Sequence, residues 1–80
     1  MSYDEIYQKT KTIIVDYLRV GEAEVTPETN IVDELFADSI ALVELGFRFS
    51  ETFGVPMIEG NPELFVMKEL VTFIQAQMKA

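Results

Sequence analysis

Residues 38–54, DSIALVELGFRFSETFG, carry the signals of one complete apolar helix. Asp38 can accept hydrogen bonds from the free amides of a first helical turn, where the helix dipole also favours negative charge. Gly54 followed by Pro56 is typical of a helix end. We therefore predict a helix over residues 39–53.

The apolar residues of this helix fill more than the single stripe that one core contact requires, when plotted at about 100° per residue. The stripe predicted to be buried consists of Leu42, Leu45, Gly46, Phe49 and Phe53. A second stripe consists of Ile40, Val43 and Phe47. The polar arc is completed by Ala41, Glu44, Arg48, Glu51 and Thr52. Because aromatic stripes at helical spacing usually lie in a core, we expect the second stripe to be shared between the core and a partner surface.

Two further helices are predicted on either side of this stretch. Ser2 and Glu5 have the spacing of a capping box, and apolar residues recur every three or four positions over residues 3–18, with Gly21 ending that helix. Asn61 and Pro62 are typical of a third helix start. Leu64 and Phe65 can form a separate short turn before the main part of that helix. Its buried face is predicted to comprise Met67, Leu70, Val71, Ile74 and Met78.

The long segment between the first two helices lacks helical periodicity. Thr26 and Pro27 predict a short helical turn, and the apolar anchors that could hold the segment on the core are Val25, Ile31, Leu35 and Phe36. Strand alternation and repeats are absent from the sequence. The predicted fold is all-α: one domain over residues 1–80, a small bundle of three main helices with a long first loop and room for one short helix.

Composition excludes several classes of function. The 80 residues include 14 Asp and Glu but only 6 Lys and Arg, and the formal net charge of −8 opposes binding to nucleic acids and anionic lipids. The absence of Cys and His removes the commonest nucleophiles, bases and metal ligands. Ser39 also lacks the lysine of a Ser-x-x-Lys motif. We therefore expect neither an enzyme nor a metal site. With no signal-type start and no run of about 18 apolar residues, we expect a cytoplasmic protein without stable membrane insertion.

Ser39 lies in a motif with a known counterpart. The segment Leu35-Phe36-Ala37-Asp38-Ser39-Ile40 resembles the Leu-Gly-x-Asp-Ser-Leu/Ile signature of acyl carrier proteins, whose serine bears a phosphopantetheine arm. The similarity covers nearly the whole chain, including VTPE at 25–28, VEL at 43–45, and an amphipathic last helix. The resemblance implies that coenzyme A donates 4′-phosphopantetheine to Ser39, with Asp38 as motif residue and helix cap. A phosphodiester there would lie at a helix amino terminus, where free N–H groups favour an anion.

The resemblance also implies a function. Such a protein is a monomeric carrier that holds acyl groups as thioesters and presents them to enzymes of fatty-acid, lipid or polyketide-type biosynthesis. Its partners would be a phosphopantetheinyl transferase and acyl-transferring or acyl-modifying enzymes with basic patches. The partner-binding residues would be Ile40, Val43, Glu44, Phe47 and Glu51. The candidates for an acyl-chain pocket are Leu45, Gly46, Phe49 and Leu70.

Several residues depart from the family pattern. Phe36 replaces a glycine, where it would stiffen the approach to Ser39 or cover it, and Ala41 and Arg48 make the second helix less acidic. Gly46 could leave space for an acyl chain or simply allow close packing of the helices, and residues 57–62 replace a short acidic helix. These departures favour a specialised carrier. A peptidyl or aminoacyl carrier, and an unmodified acidic adaptor that grips a partner helix, are the alternatives.

Overall fold

The computed structural model describes residues 2–56 and 62–79. Three helices form the bundle: α1 (Tyr3–Leu18), α2 (Ser39–Phe53) and α3 (Met67–Lys79). Two short 3₁₀ turns, Glu22–Glu24 and Pro62–Phe65, lie in the connections. Within the described ranges the only strand-like pairing is a single bridge between Asn30 and Val66. The predicted all-α bundle with a long first loop is confirmed.

The start of α1 agrees with the prediction, whereas its end does not. Glu5 N–H donates to Ser2 Oγ at 3.3 Å, and Ser2 N–H donates to Glu5 Oε1 at 3.3 Å, which completes the capping box. The left-handed residue that ends the helix is Arg19, with φ of 56°, and not Gly21. Gly21 instead begins the first 3₁₀ turn, where its N–H donates to Glu24 Oε2 at 2.7 Å. The Arg19 side chain is exposed to solvent, and its backbone adopts a conformation that usually favours glycine.

The predicted helical turn at Thr26 and Pro27 is wrong. Residues 26–29 form a single reverse turn, in which Thr29 N–H donates to Thr26 O at 3.0 Å. Thr29 is buried, and its Oγ1 accepts from Thr26 N–H at 2.8 Å and donates to Glu24 O at 3.1 Å. The threonine hydroxyl therefore closes the loop on itself and does not cap a helix.

The long first loop is fastened to the chain just before and within α3. Ile31 N–H donates to Phe65 O at 2.9 Å, and Met67 N–H donates to Thr29 O at 3.0 Å. Val25, Ile31 and Leu35 are buried as predicted. The prediction that Phe36 is a fourth anchor is wrong, because its side chain is 85% exposed. The loop therefore enters α2 from a fixed position.

The core lies where one face of each helix meets the loop. Leu45, Phe49 and Phe53 of α2 are buried, and so are Met67, Leu70, Val71 and Ile74 of α3. Gly46 is also buried, while Leu42 and Met78 are partly buried. The separate short turn predicted around Leu64 and Phe65 is confirmed, so α3 proper begins at Met67 and not at Pro62. The predicted cap at Asn61 and most of the departing segment 57–62 fall outside the described residues.

Candidate functional site

Ser39 is the first residue of α2 and is exposed to solvent. Asp38 caps the helix as predicted: its Oδ1 accepts from Ala41 N–H at 2.8 Å, and its carbonyl accepts from Leu42 N–H at 2.9 Å. The Asp38 backbone is extended, with φ of −85° and ψ of −179°, which is the usual geometry of a cap. The cap fixes the start of α2, and with it the position of the Ser39 hydroxyl at the surface.

The amino end of α2 has amide groups available for an anion. The first amides of a helix, here those of Ser39 and Ile40, have no partner inside the helix, and the Asp38 carboxylate is engaged by Ala41. The dipole of a helix of 15 residues adds partial positive charge at this end. An exposed hydroxyl beside two such amides fits a phosphodiester, whose negative charge the amides would stabilise.

The loop segment that leads to Ser39 is anchored by the residues on either side of Phe36. Leu35 and Ala37 are buried, and Ala37 N–H donates to Ile31 O at 3.1 Å. Between them Phe36 adopts a left-handed backbone with φ of 59° and turns its ring to solvent. Of the two expected effects of Phe36, covering Ser39 is wrong, because Ser39 is itself exposed.

The second apolar stripe of α2 lies on the surface. Ile40, Val43 and Phe47, which we call the outer strip, are 73%, 63% and 53% exposed. The expectation that the core shares this stripe is wrong, since Leu45, Phe49 and Phe53 already fill the side of α2 that meets the bundle.

Two exposed acidic residues lie beside the outer strip, whereas one residue that was predicted to lie on the polar arc is buried. Glu44 and Glu51 are exposed on the same side of α2. Ala41, which was assigned to the polar arc, is buried. It lies one turn before Leu45 and shares its side of the helix.

Arg48 makes a contact that the sequence analysis missed. Its guanidinium carbon lies 5.1 Å from the centre of the Tyr17 ring in α1, within the range of a cation–π interaction. This contact places the positive charge at the edge of α2 that faces α1. Helix periodicity carries no signal for this contact, because the two residues belong to different helices.

The four acyl-pocket candidates come together in the core. Leu45, Phe49 and Leu70 belong to one buried cluster, and Gly46 is buried beside its neighbours in α2. A surface depression between α1 and α2 involves none of the four and is lined by Gln8, Lys9, Thr12, Ile13 and Thr52. That the four core residues Leu45, Gly46, Phe49 and Leu70 form a pocket for an acyl chain stays a prediction.

Among residues 2–56 and 62–79, no three acidic residues lie close enough together to bind a metal ion. None of the three helices of this part of the chain has both the length and the apolar character needed to cross a membrane.

Comparison with known proteins gives consistent results. A family model described as a phosphopantetheine attachment site matches residues 8–58, which include Ser39. An acyl carrier protein of Thermotoga maritima is 36% identical over 78 residues, covering 96% of each chain. An acyl carrier protein of Petrotoga mobilis is 49% identical over 55 residues, covering 69% of this chain and 65% of the relative. With a family model that matches more than half of its length and a relative aligned along nearly all of it, this chain belongs to the acyl carrier protein family.

Proposed function

We propose that Ser39 is the residue of this chain to which phosphopantetheine is attached. As a member of its family the chain is a carrier and not an enzyme, and phosphopantetheine is its prosthetic group. When bound, that group supplies the thiol on which acyl groups travel as thioesters. The observation that carries the assignment to Ser39 is its exposed hydroxyl at the capped amino end of α2.

A comparison of the two serines in the matched segment supports this choice. The matched residues 8–58 contain two serines, Ser39 and Ser50. Ser50 is half-buried near the other end of α2, and its hydroxyl donates to Val55 O. Ser39 is exposed and lies beside the free amides of the helix start. An enzyme that transfers a phosphopantetheinyl group from coenzyme A to a serine hydroxyl can therefore reach Ser39 without opening the bundle.

The family implies a phosphopantetheinyl transferase and acyl-handling enzymes as partners. We propose that these enzymes recognise α2 through basic patches. Glu44 and Glu51 are exposed beside the outer strip, and the whole chain has a net charge of −8. Such charges increase the rate of encounter with a basic surface, and salt weakens that effect. We therefore propose that Glu44 and Glu51 steer the partner while the outer strip supplies apolar contact area.

We further propose that the chain is a specialised carrier. Arg48 lies on the Tyr17 ring at one edge of α2, and the side chain of Ala41 is buried, so this edge is less acidic than the side that bears Glu44 and Glu51. A partner that needs a continuous acidic helix should bind this surface poorly. The proposal predicts slow exchange with general fatty-acid enzymes, and rates equal to those of a housekeeping carrier would contradict it.

Intact-mass measurement tests the attachment site. Apo protein is incubated with coenzyme A and a phosphopantetheinyl transferase. We expect its mass to increase by that of one phosphopantetheinyl group. The gain should disappear in Ser39→Ala and persist in Ser50→Ala, which is the matched control. A gain that persists in Ser39→Ala would refute the assignment. No gain in the wild-type protein with several transferases would instead favour the unmodified adaptor. Identifying the thioester cargo of protein from its native cell would then separate acyl from aminoacyl carriers.

A further inference from the structure

Phe36 is the most exposed large apolar side chain in the described part of the chain. Its ring is 85% accessible to solvent, although Leu35 and Ala37 on either side are buried. A phenyl ring in water loses the free energy that burial would supply, and its contribution to the core is accordingly small. Packing within the bundle therefore gives no reason for an aromatic residue at this position.

The backbone at Phe36 is also unfavourable for a residue with a side chain. Its φ of 59° lies in the left-handed region, where Cβ approaches the following carbonyl and where glycine is preferred. The loop enforces this conformation, because Ala37 N–H donates to Ile31 O at 3.1 Å. Strained residues of this kind are concentrated at functional sites. The exposed ring adds little to the stability of the fold and the backbone strain lowers that stability, and a role outside the fold would account for both.

Phe36 lies close in the chain to the proposed attachment site. It precedes Ser39 by three residues, and Ile40, the first member of the outer strip, follows Ser39 directly. Ser39 is thus flanked along the chain by two exposed apolar side chains, and Val43 and Phe47 continue the apolar surface along α2. Exposed apolar side chains therefore both precede and follow Ser39 along the chain, where an enzyme that acts on Ser39 could contact them.

We propose that Phe36 is a docking anchor for the enzymes that act at Ser39, and that its ring enters an apolar pocket beside the entrance to their active site. The inference rests on the proposed function of Ser39. Aromatic side chains surrounded by polar groups often dominate the affinity of an interface. Because Glu44 and Glu51 are exposed on α2, the rim of the partner pocket should be basic. A second copy of this chain and an anionic membrane are both opposed by the net charge of −8.

The test measures the modification of apo protein, which has neither arm nor cargo, so that only the contact with the enzyme can change. The variants are Phe36→Gly and Phe36→Ala, which both remove the ring, although only glycine relieves the backbone strain. Transfer from saturating coenzyme A is followed by intact mass to obtain kcat and KM for the carrier, and the midpoint of thermal unfolding is measured in parallel. Phe36→Tyr keeps an aromatic ring and should retain most of the affinity. Arg19→Gly is the control, since Arg19 is the other non-glycine residue with a positive φ in the described ranges, at 56°.

We expect KM to rise about tenfold in both Phe36→Gly and Phe36→Ala, with little change in kcat, as for a truncated aromatic anchor. Phe36→Gly should nevertheless unfold at a higher temperature than Phe36→Ala, so lost docking and gained stability coexist in one variant. Arg19→Gly should gain stability without a change in KM. An unchanged KM in both ring-deleting variants would overturn the proposal, and so would a wild-type dimer that Phe36→Gly converts to monomer. If wild-type protein gains no mass at all, the proposed function of Ser39 fails instead.

Discussion

Thr10 in α1 is fully buried, at 0% exposure, and in the described part of the chain its Oγ1 has no hydrogen-bond partner. Thr12 and Thr72 behave differently, because their hydroxyls donate to the carbonyls four residues earlier at 2.9 and 2.7 Å. A buried hydroxyl without a partner costs about 1–3 kcal/mol in the folded state. Valine has nearly the same shape as threonine and a similar helix propensity. Thr10→Val should therefore raise the free energy of unfolding by about 1 kcal/mol or more.

The same substitution at Thr29 should have the opposite effect. Thr29 is also buried, at 3% exposure, but its Oγ1 accepts from Thr26 N–H and donates to Glu24 O. Valine would leave both of these backbone groups without their partner. We expect Thr29→Val to lower the free energy of unfolding by about 1–3 kcal/mol. The two variants thus form a matched pair, since the chemical change is identical and only the hydrogen bonding differs.

Urea unfolding followed by circular dichroism measures the free energy of unfolding of both variants. Both are measured in the same buffer, because salt alters the stability of a chain with this net charge. For a domain of this size, 1 kcal/mol corresponds to about 4–8 °C in Tm. Thr10→Val should shift the urea midpoint upwards and Thr29→Val downwards, with unchanged m-values. If Thr10→Val destabilises the protein as much as Thr29→Val does, the Thr10 hydroxyl has a partner in solution, such as a buried water, and the reasoning is refuted.

Three further predictions concern the helix ends and the contact between α1 and α2. Asp38→Ala should lower the free energy of unfolding by about 1 kcal/mol through loss of the cap of α2, as measured by urea unfolding, and an unchanged midpoint would contradict this. Hydrogen bonds from the backbone N–H and then the hydroxyl of Ser2 hold the pKa of Glu5 below its ordinary value of 4.5. The resulting stabilisation is present above pH 4.5 and is lost as the pH falls through the lower pKa of the folded state. In Glu5→Gln the free energy of unfolding should therefore fall less steeply as the pH is lowered below 4.5. The same pH dependence in Glu5→Gln and in the wild-type protein would argue against the capping box. A double-mutant cycle with Tyr17→Leu and Arg48→Met should give a coupling free energy of about 0.5–1 kcal/mol, whereas a coupling of zero would show that the cation–π contact does not contribute to stability.

The sequence predicted the bounds of α2 and the start of α1 because the signals involved are local. Asp38, Ser2 and Glu5 bind amides within three residues of themselves, and helical periodicity identifies a buried face without knowledge of what covers it. The end of α1 was predicted less well. Arg19 took the left-handed conformation assigned to Gly21, since the preference for glycine at a helix end is a bias and not a requirement.

The candidate site was predicted in part. The position of Ser39 at a capped helix start follows from the residues on either side of it. The exposure of Phe36 and of the outer strip does not, because an apolar stripe at helical spacing is compatible with either core or surface. The contact between Arg48 and Tyr17 joins two helices, so no spacing within either helix could indicate it.

The amino-acid sequence alone therefore determined three helices, an acidic surface and one serine at a helix start, since capping, periodicity and charge are properties of neighbouring residues. Only the tertiary structure decided that the second apolar stripe of α2 takes no part in the core. A helix that is apolar over more than half of its circumference can bury only the side that joins the common hydrophobic cluster of the bundle. Residues that lie outside that contact, Phe36 among them, remain in solvent.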